Sequence, residues 1–239
     1  MDNIKAAIFF DNNDIQLENV KEACSHITTI KVAESSPECI SIKFRDEPLA
    51  SYIESLGSNL YLQSLLKMEI DQDVYDPLSG ITKEHIVKFN LWEAKTRHHG
   101  ERAVIFDWDR TISKFEGFYP VQFTTYAWLE SALEYLCGGK ERLSMLRDFI
   151  QRIDELTIRI YILTNNTGCK DEDFPKYVYQ LFEGVPVEII CGMDYGFHKG
   201  IALKSNMDFK EMCTSLSGGK RKKTRHRHLY RKKSMKRKK

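Results

Sequence analysis

Ala103-Val104-Ile105-Phe106-Asp107-Trp108-Asp109-Arg110-Thr111-Ile112-Ser113 is the stretch on which the reading of this chain turns. Four apolar residues form a short run suited to a buried parallel strand, and the run ends abruptly in two acids. In an open α/β sheet, ligands bind in the crevice outside the carboxyl ends of the strands. Two carboxylates spaced i, i+2 at such an end can both turn toward one reacting atom or one metal ion. A divalent cation would remove their mutual repulsion, since hard cations take carboxylate oxygens. The plain alternative is an ordinary strand-to-loop turn that happens to be acidic.

C-terminal to this stretch, Thr124 to Leu136 and Lys140 to Leu156 read as two helices around Cys137-Gly138-Gly139. Leu146, Phe149, Ile150 and Ile153 give the second its apolar stripe. Gly139-Lys140 is no P-loop: no glycine sits five residues before Gly139, and Glu follows the lysine. Ile158 to Leu163 reads as a strand ending in Thr164-Asn165-Asn166-Thr167-Gly168. A hydroxyl and amides at a strand end can donate hydrogen bonds to an anion. Asp173 to Glu183 suggests a helix and Val187 to Cys191 a further strand. Gly196-Phe197-His198-Lys199-Gly200 then leads into a helix-like run to about Met207, and no acid-ended strand follows.

N-terminal to it, Ile4 to Phe10 reads as a strand ending in Asp11-Asn12-Asn13-Asp14. Asn13 or Asp14 is a natural N-cap for a helix running to about Ser25, with Val20, Ala23 and Cys24 on its apolar face. Ile27 to Val32 is another strand, so the chain opens β-α-β with an acid at the end of its first strand. Between Ala33 and Gly100 the pattern blurs. Leu49 to Met68 looks helical, and Thr82 to Thr96 is a clearer helix with Ile86, Phe89 and Trp92 at helical spacing. This segment is read as a helical insertion that packs on or near the sheet.

The net charge of +2 hides an asymmetry. Lys220 to Lys239 holds 13 of the 36 Lys and Arg and no acid, which leaves 23 basic against 34 acidic residues elsewhere. Such a low-complexity basic tail is expected to be disordered. Its chemistry suits phosphate-backbone contact with nucleic acid or a nuclear address, and it bears a weak resemblance to basic tails in proteins of large DNA viruses. Cys24, Cys39, Cys137, Cys169, Cys191 and Cys213 are scattered singly, without a C-x-x-C pair. That spacing argues against zinc knuckles and redox motifs and for free thiols in a reducing compartment. No stretch approaches the ~20 apolar residues of a membrane span, and the expectation is a soluble intracellular protein, cytoplasmic or nuclear.

Apolar-apolar-apolar-Asp-x-Asp-x-Thr at Val104 to Thr111 resembles the first motif of the haloacid dehalogenase-like phosphohydrolases. The resemblance implies that Asp107 attacks phosphorus, forming an aspartyl-phosphate, and that Asp109 is the general acid and base. Thr164, ending its strand, matches the family's second motif and implies a phosphoryl-oxygen ligand, with Asn165 beside it in substrate binding. Lys199 at a helix start takes the place of the family's lysine, with Lys204 in reserve. The family's fourth motif, an acid-ended strand completing a Mg²⁺ site, is missing after Lys199. Its pattern stands instead at Ile8 to Val32, which makes Asp11 a metal ligand alongside Asp107 and Asp109.

The order implied is a circular permutation, tolerated because the termini of compact domains lie at the surface and often close together. Asn12 departs from the pattern, standing where many relatives carry a second acid; Asp14 is a candidate for outer support. The rival is that Asp194 supplies the metal acid. The fold expected with the resemblance is α/β: a Rossmann-like three-layer sandwich on a mostly parallel five-stranded sheet. Its parts are residues 1–33 and 101–213 as the permuted domain, 34–100 as a helical insertion, and 214–239 as the tail. The function expected is Mg²⁺-dependent hydrolysis of a phosphate monoester of unknown identity. The alternative is a non-catalytic nucleic-acid-binding protein that works through Lys220 to Lys239.

Overall fold

A computed structural model describes residues 3–32, 80–114, 130, 133–134 and 136–214. The helix expected at Leu49 to Met68, most of that at Thr124 to Leu136, and the tail from residue 215 onward lie outside the described residues. Within them, five strands form one sheet: β1 (Ala6–Asp11), β2 (Ile27–Lys31), β3 (Arg102–Phe106), β4 (Arg159–Thr164) and β5 (Val187–Cys191). All pair in parallel, in the order β2-β1-β3-β4-β5. Six α-helices accompany them: α1 (Asp14–Ala23), α2 (Lys83–Thr96), α3 (Lys140–Glu155), α4 (Asp173–Phe182), α5 (Lys199–Ser205) and α6 (Lys210–Thr214).

The sheet is buried on both faces, as parallel sheets must be. Side chains alternate along each strand, so Ala6, Ile8, Phe10, Val104, Phe106, Ile160 and Ile162 share one core with Phe89 and Trp92 of α2, Phe149 of α3 and Val178 of α4. Ala7, Phe9, Ala103, Ile105, Tyr161 and Leu163 share the other with Leu17 of α1, Ala202 of α5 and Met212 of α6. Handedness explains which helix lies where. The step β1 to β2 runs one way across the sheet, whereas β2 to β3, β3 to β4 and β4 to β5 run the other. Right-handed crossovers therefore place α1 on one face and α2, α3 and α4 on the opposite one.

This reversal makes the gap between β1 and β3 the switch point of the sheet, where a crevice opens at the carboxyl ends. The register places Phe10 opposite Phe106, so the next residues outward, Asp11 and Asp107, stand side by side at that point. The strand that precedes all others in the chain thus lies beside the strand of the acidic pair.

The cysteines correct the sequence expectation. Cys24 at the end of α1 is bonded to Cys213 in α6, 189 residues away, and Cys169 to Cys191, 22 residues away. Only Cys137 is a free cysteine among the described residues. Single spacing along the chain hid both pairs because their partners meet only through the fold. Four bonded cysteines give no support to a reducing compartment. Among the described residues no helix is long and apolar enough to cross a membrane.

At the start of α2, the His85 ring is buried and bridges two segments. Nδ1 accepts from the Thr82 main-chain N–H (3.1 Å), and Nε2 lies 3.3 Å from the Lys31 carbonyl. A neutral ring protonated at Nε2 satisfies both. Burial holds the imidazole below its ordinary value and Lys88 adds to this, against the opposing Lys31 carbonyl and Glu84. The folded chain therefore binds fewer protons here than the unfolded chain does. Its stabilising contribution is full above about pH 6.5, the unfolded value, and is lost as pH falls through the lower folded value. Thermal melts are expected to show a midpoint that drops between pH 7.5 and 5.5, with a shallower drop in His85→Gln. Equal slopes in the two proteins would show that His85 does not carry this dependence.

Candidate active site

Asp107 follows β3 and Asp11 closes β1, and both fall on the strand parity of the face that α5 covers. Trp108, of the opposite parity, is buried against Phe174 in a T-shaped contact at 5.0 Å. That anchor turns the chain after β3. The main-chain N–H groups of Ile112 and Ser113 donate to the Trp108 carbonyl at 3.0 and 2.9 Å, closing a tight loop. Arg110 inside it adopts a left-handed φ of 53°. The loop is then held from outside by Arg142 of α3, which donates to the carbonyls of Thr111 (3.0 Å), Ile112 (2.7 Å) and Cys137 (2.8 Å). Asp109 is fixed at the mouth of a clamped turn.

Lys199 begins α5 and is 3% exposed, between two acids that are also buried. Its Nζ donates to Asp11 Oδ2 at 2.7 Å and is 2.6 Å from Asp107 Oδ1. The ammonium also lies over the Phe9 ring, 5.7 Å from its centroid. Gly200, next in sequence, makes this approach feasible: a Cβ there would collide with the main-chain oxygen of Asn19 in α1. The first turn of α5 can thus press against α1 and deliver the lysine to the strand ends.

Electrostatics follow from this burial. Desolvation pushes the Asp107 carboxyl well above the usual range; Lys199 pulls it down, while Asp11 and Asp109 push it up again. For Lys199, desolvation favours the neutral amine, but the attraction of Asp107 and Asp11 outweighs it and leaves the ammonium more firmly protonated than usual. Asp107 and Asp11 act on the lysine, and Asp109 acts on Asp107.

Thr164, fully buried, closes β4. Its Oγ1 accepts from the Asn166 main-chain N–H at 3.0 Å, while the Asn166 side-chain Nδ2 donates to Asp109 Oδ1 at 2.8 Å. Asn166 is the residue that sequence reasoning missed. Its place two residues after Thr164 is legible as a turn, but its reach to an acid 57 residues earlier is not. Gln16 is the second omission: its Oε1 accepts from the Lys199 main-chain N–H at 3.3 Å. Asn165 donates through Nδ2 to the Phe197 carbonyl at 2.9 Å. That hydrogen bond ties the β4 loop to the segment before Lys199.

The reserve candidates fall elsewhere. Lys204 is exposed. Asp194 is half exposed and pairs with Lys170, and Asp14 pairs with Lys31 at the surface. Asn12 is partly buried beside Asp11, whose Oδ1 accepts from the Asn13 N–H at 2.7 Å.

Among the described residues no three His, Cys, Asp or Glu side chains are gathered as a ready-made metal group. The donor chemistry nonetheless fits a hard divalent cation. Asp11, Asp107 and Asp109 offer carboxylate oxygens, the donor type such an ion takes. Comparison of the chain with protein-family models, with curated proteins and with solved structures gives no match.

Proposed function

We propose that this chain is a Mg²⁺-dependent phosphatase, built like the haloacid dehalogenase-like phosphohydrolases with the fourth motif moved ahead of the first. The observation that carries the reading is Lys199 Nζ held between Asp11 and Asp107. These residues are far apart in the chain, and their meeting supports the reading. The side-by-side placement of β1 and β3 supports the permuted order. The chain order of the acid-ended strands matters little when the sheet makes them neighbours.

In this reading Asp107 uses Oδ2 to attack phosphorus, since Oδ1 is engaged by Lys199. A new oxygen–phosphorus bond forms as the ester oxygen leaves, and Asp109 gives that oxygen its proton. Asp109, now a carboxylate, takes a proton from water, whose oxygen attacks the same phosphorus. The bond to Asp107 breaks, releasing inorganic phosphate and regenerating both acids. Covalent capture splits one hard displacement into two easier ones. Thr164 and Lys199 stabilise the equatorial oxygens in transit, the positioning and charge stabilisation that phosphoryl transfer demands. Asn166 holds Asp109 to the Thr164 turn, so acid and phosphate site keep one geometry. Asp11, Asp107 and the main-chain carbonyl of Asp109 would hold Mg²⁺, which supplies charge neutralisation for the phosphoryl group.

The test is hydrolysis of an aryl phosphate with Mg²⁺ and with a chelator, for the intact protein and Asp11→Asn. Turnover is expected only with Mg²⁺. Asp11→Asn is expected to raise the Mg²⁺ concentration for half-maximal rate by at least about 10- to 100-fold, the loss that altering even the groups behind a metal's ligands produces. Full activity of Asp11→Asn at unchanged Mg²⁺ would refute the permuted metal site. If no ester turns over with any divalent cation, the non-catalytic nucleic-acid-binding reading takes its place, carried by the cationic run from Lys220 to Lys239.

A further inference from the structure

Phe197 lies in the loop between β5 and α5, in a left-handed conformation with φ of 62°. A bulky side chain disfavours that region, and strain of this kind collects at ligand clamps and active sites. The residue is 49% exposed, so burial does not offset the strain. Gly196, just before it, has a φ of 65°, and there the chain supplies the glycine that such a backbone favours. At 197 the backbone asks for the same residue and receives a phenylalanine. Neither the backbone nor the core explains this ring.

Its position is fixed by the groups that build the site. The Phe197 carbonyl accepts from Gln16 Nε2 at 3.2 Å and from Asn165 Nδ2 at 2.9 Å. Gln16 uses its other side-chain atom, Oε1, to hold the Lys199 N–H, and Asn165 follows Thr164 directly. Two amides therefore tie one exposed aromatic residue to both elements expected to grip the phosphoryl group. Ile15 and Ile201, next to Gln16 and near Lys199 in the chain, are also exposed, at 66% and 47%.

We propose that Phe197 is a stacking platform for a planar leaving group, and that the substrate is a nucleotide phosphate monoester. The proposal rests on the phosphatase reading. It assigns the phosphoryl group to Lys199 and Thr164 and the base to the Phe197 face. Base–aromatic stacking of this kind is worth roughly 5- to 150-fold in affinity. A free nucleoside monophosphate and the phosphorylated end of a nucleic-acid strand present the same chemistry, and 13 cations between Lys220 and Lys239 would favour the latter in a salt-dependent way.

The experiment compares a nucleoside 5′-monophosphate, a 5′-phosphorylated oligonucleotide and glycerol phosphate, using the full chain, Phe197→Gly and Phe197→Tyr. Phe197→Gly suits the left-handed backbone and is expected to melt no lower than the parent. Its KM for both nucleotide substrates is expected to rise by roughly 5- to 150-fold more than its KM for glycerol phosphate, with Phe197→Tyr restoring most of the loss. Equal effects on all three substrates, or none, would overturn the platform. A kcat/KM that falls with salt for the oligonucleotide alone identifies the strand end as the source; equal salt response identifies the free nucleotide. If the parent hydrolyses no ester, the phosphatase reading has failed, and calorimetric titration with the monophosphate decides the platform separately. Weaker binding by Phe197→Gly upholds it, and unchanged binding refutes it.

Discussion

Asp107→Asn is expected to lower kcat for an aryl phosphate by about 10⁴-fold or more, the scale on which removal of a covalent nucleophile acts. An amide at this position keeps the shape of the side chain but is a poor nucleophile toward phosphorus. The substitution should leave the fold intact, and the electrostatics say why. Burial, together with Asp11 and Asp109, already works against a charged Asp107. A neutral isostere removes one of three crowded acids while Lys199 keeps its pairing with Asp11 at 2.7 Å. The melting temperature of Asp107→Asn is therefore expected to match or exceed that of the parent. Loss of turnover with undiminished stability would mark a group held for chemistry at some cost to the fold. The companion variant Asp109→Asn removes the proton-transfer group while keeping an oxygen that can accept from Asn166, and is expected to lose about 10²- to 10⁴-fold. Intact-mass analysis after mixing with substrate should find a phosphorylated chain in that variant, since hydrolysis of the intermediate lacks its base. Activity of Asp107→Asn within tenfold of the parent would remove Asp107 from the reaction.

What the sequence disclosed depended on the range of the signal. Runs such as Val187 to Cys191 and Lys140 to Leu156 are legible because period and punctuation are local, and the observed elements follow them to within a residue or two. The helix at Lys83–Thr96 was equally plain, but its role was not. Phe89 and Trp92 turn out to pack in the same core as Phe10 and Phe106, which periodicity alone could not say. Strand ends gave Asp11, Asp107 and Thr164 as chemically exposed positions. Their adjacency follows from strand order, which no local pattern encodes. Contacts that bind remote segments were invisible for the same reason. Asn166 reaching Asp109, Gln16 reaching Lys199, and Cys24 reaching Cys213 each join residues dozens of positions apart or more. Polar residues and single cysteines carry no mark along the chain of the partner that will satisfy them.

Lys199→Met is the variant expected to damage stability most, and it separates the lysine's two roles. Removing one partner of a buried ion pair leaves an uncompensated charge and typically destabilises by about 3–5 kcal/mol. Here the loss leaves Asp11 and Asp107 facing each other at the ends of adjacent strands, both nearly inaccessible to water. The dependence on pH fixes the cause. With the ammonium gone, the factors that raise Asp107 are no longer opposed, so the folded variant holds a proton at pH values where the unfolded chain has released it. Stability lost at neutral pH should therefore return as pH falls toward the unfolded carboxylate value of about 4. A variant that merely packed badly would show no such recovery. If the proposed Mg²⁺ site exists, millimolar Mg²⁺ should likewise raise the melting temperature of Lys199→Met more than that of the parent, because a bound divalent ion would restore positive charge near the acids. On the phosphatase proposal turnover is expected to stay low even then, since the contact it assigns the lysine with the phosphoryl oxygens is not restored. Lys199→Arg should fare little better: a planar fork on a longer reach does not fit the space a single ammonium occupies 2.6–2.7 Å from two carboxylates. Urea melts of the three proteins at pH 5 and 7.5, with and without Mg²⁺, resolve these contributions. A Lys199→Met protein as stable as the parent at pH 7.5 would mean that Asp11 and Asp107 are not both charged, and that the lysine between them is there for packing.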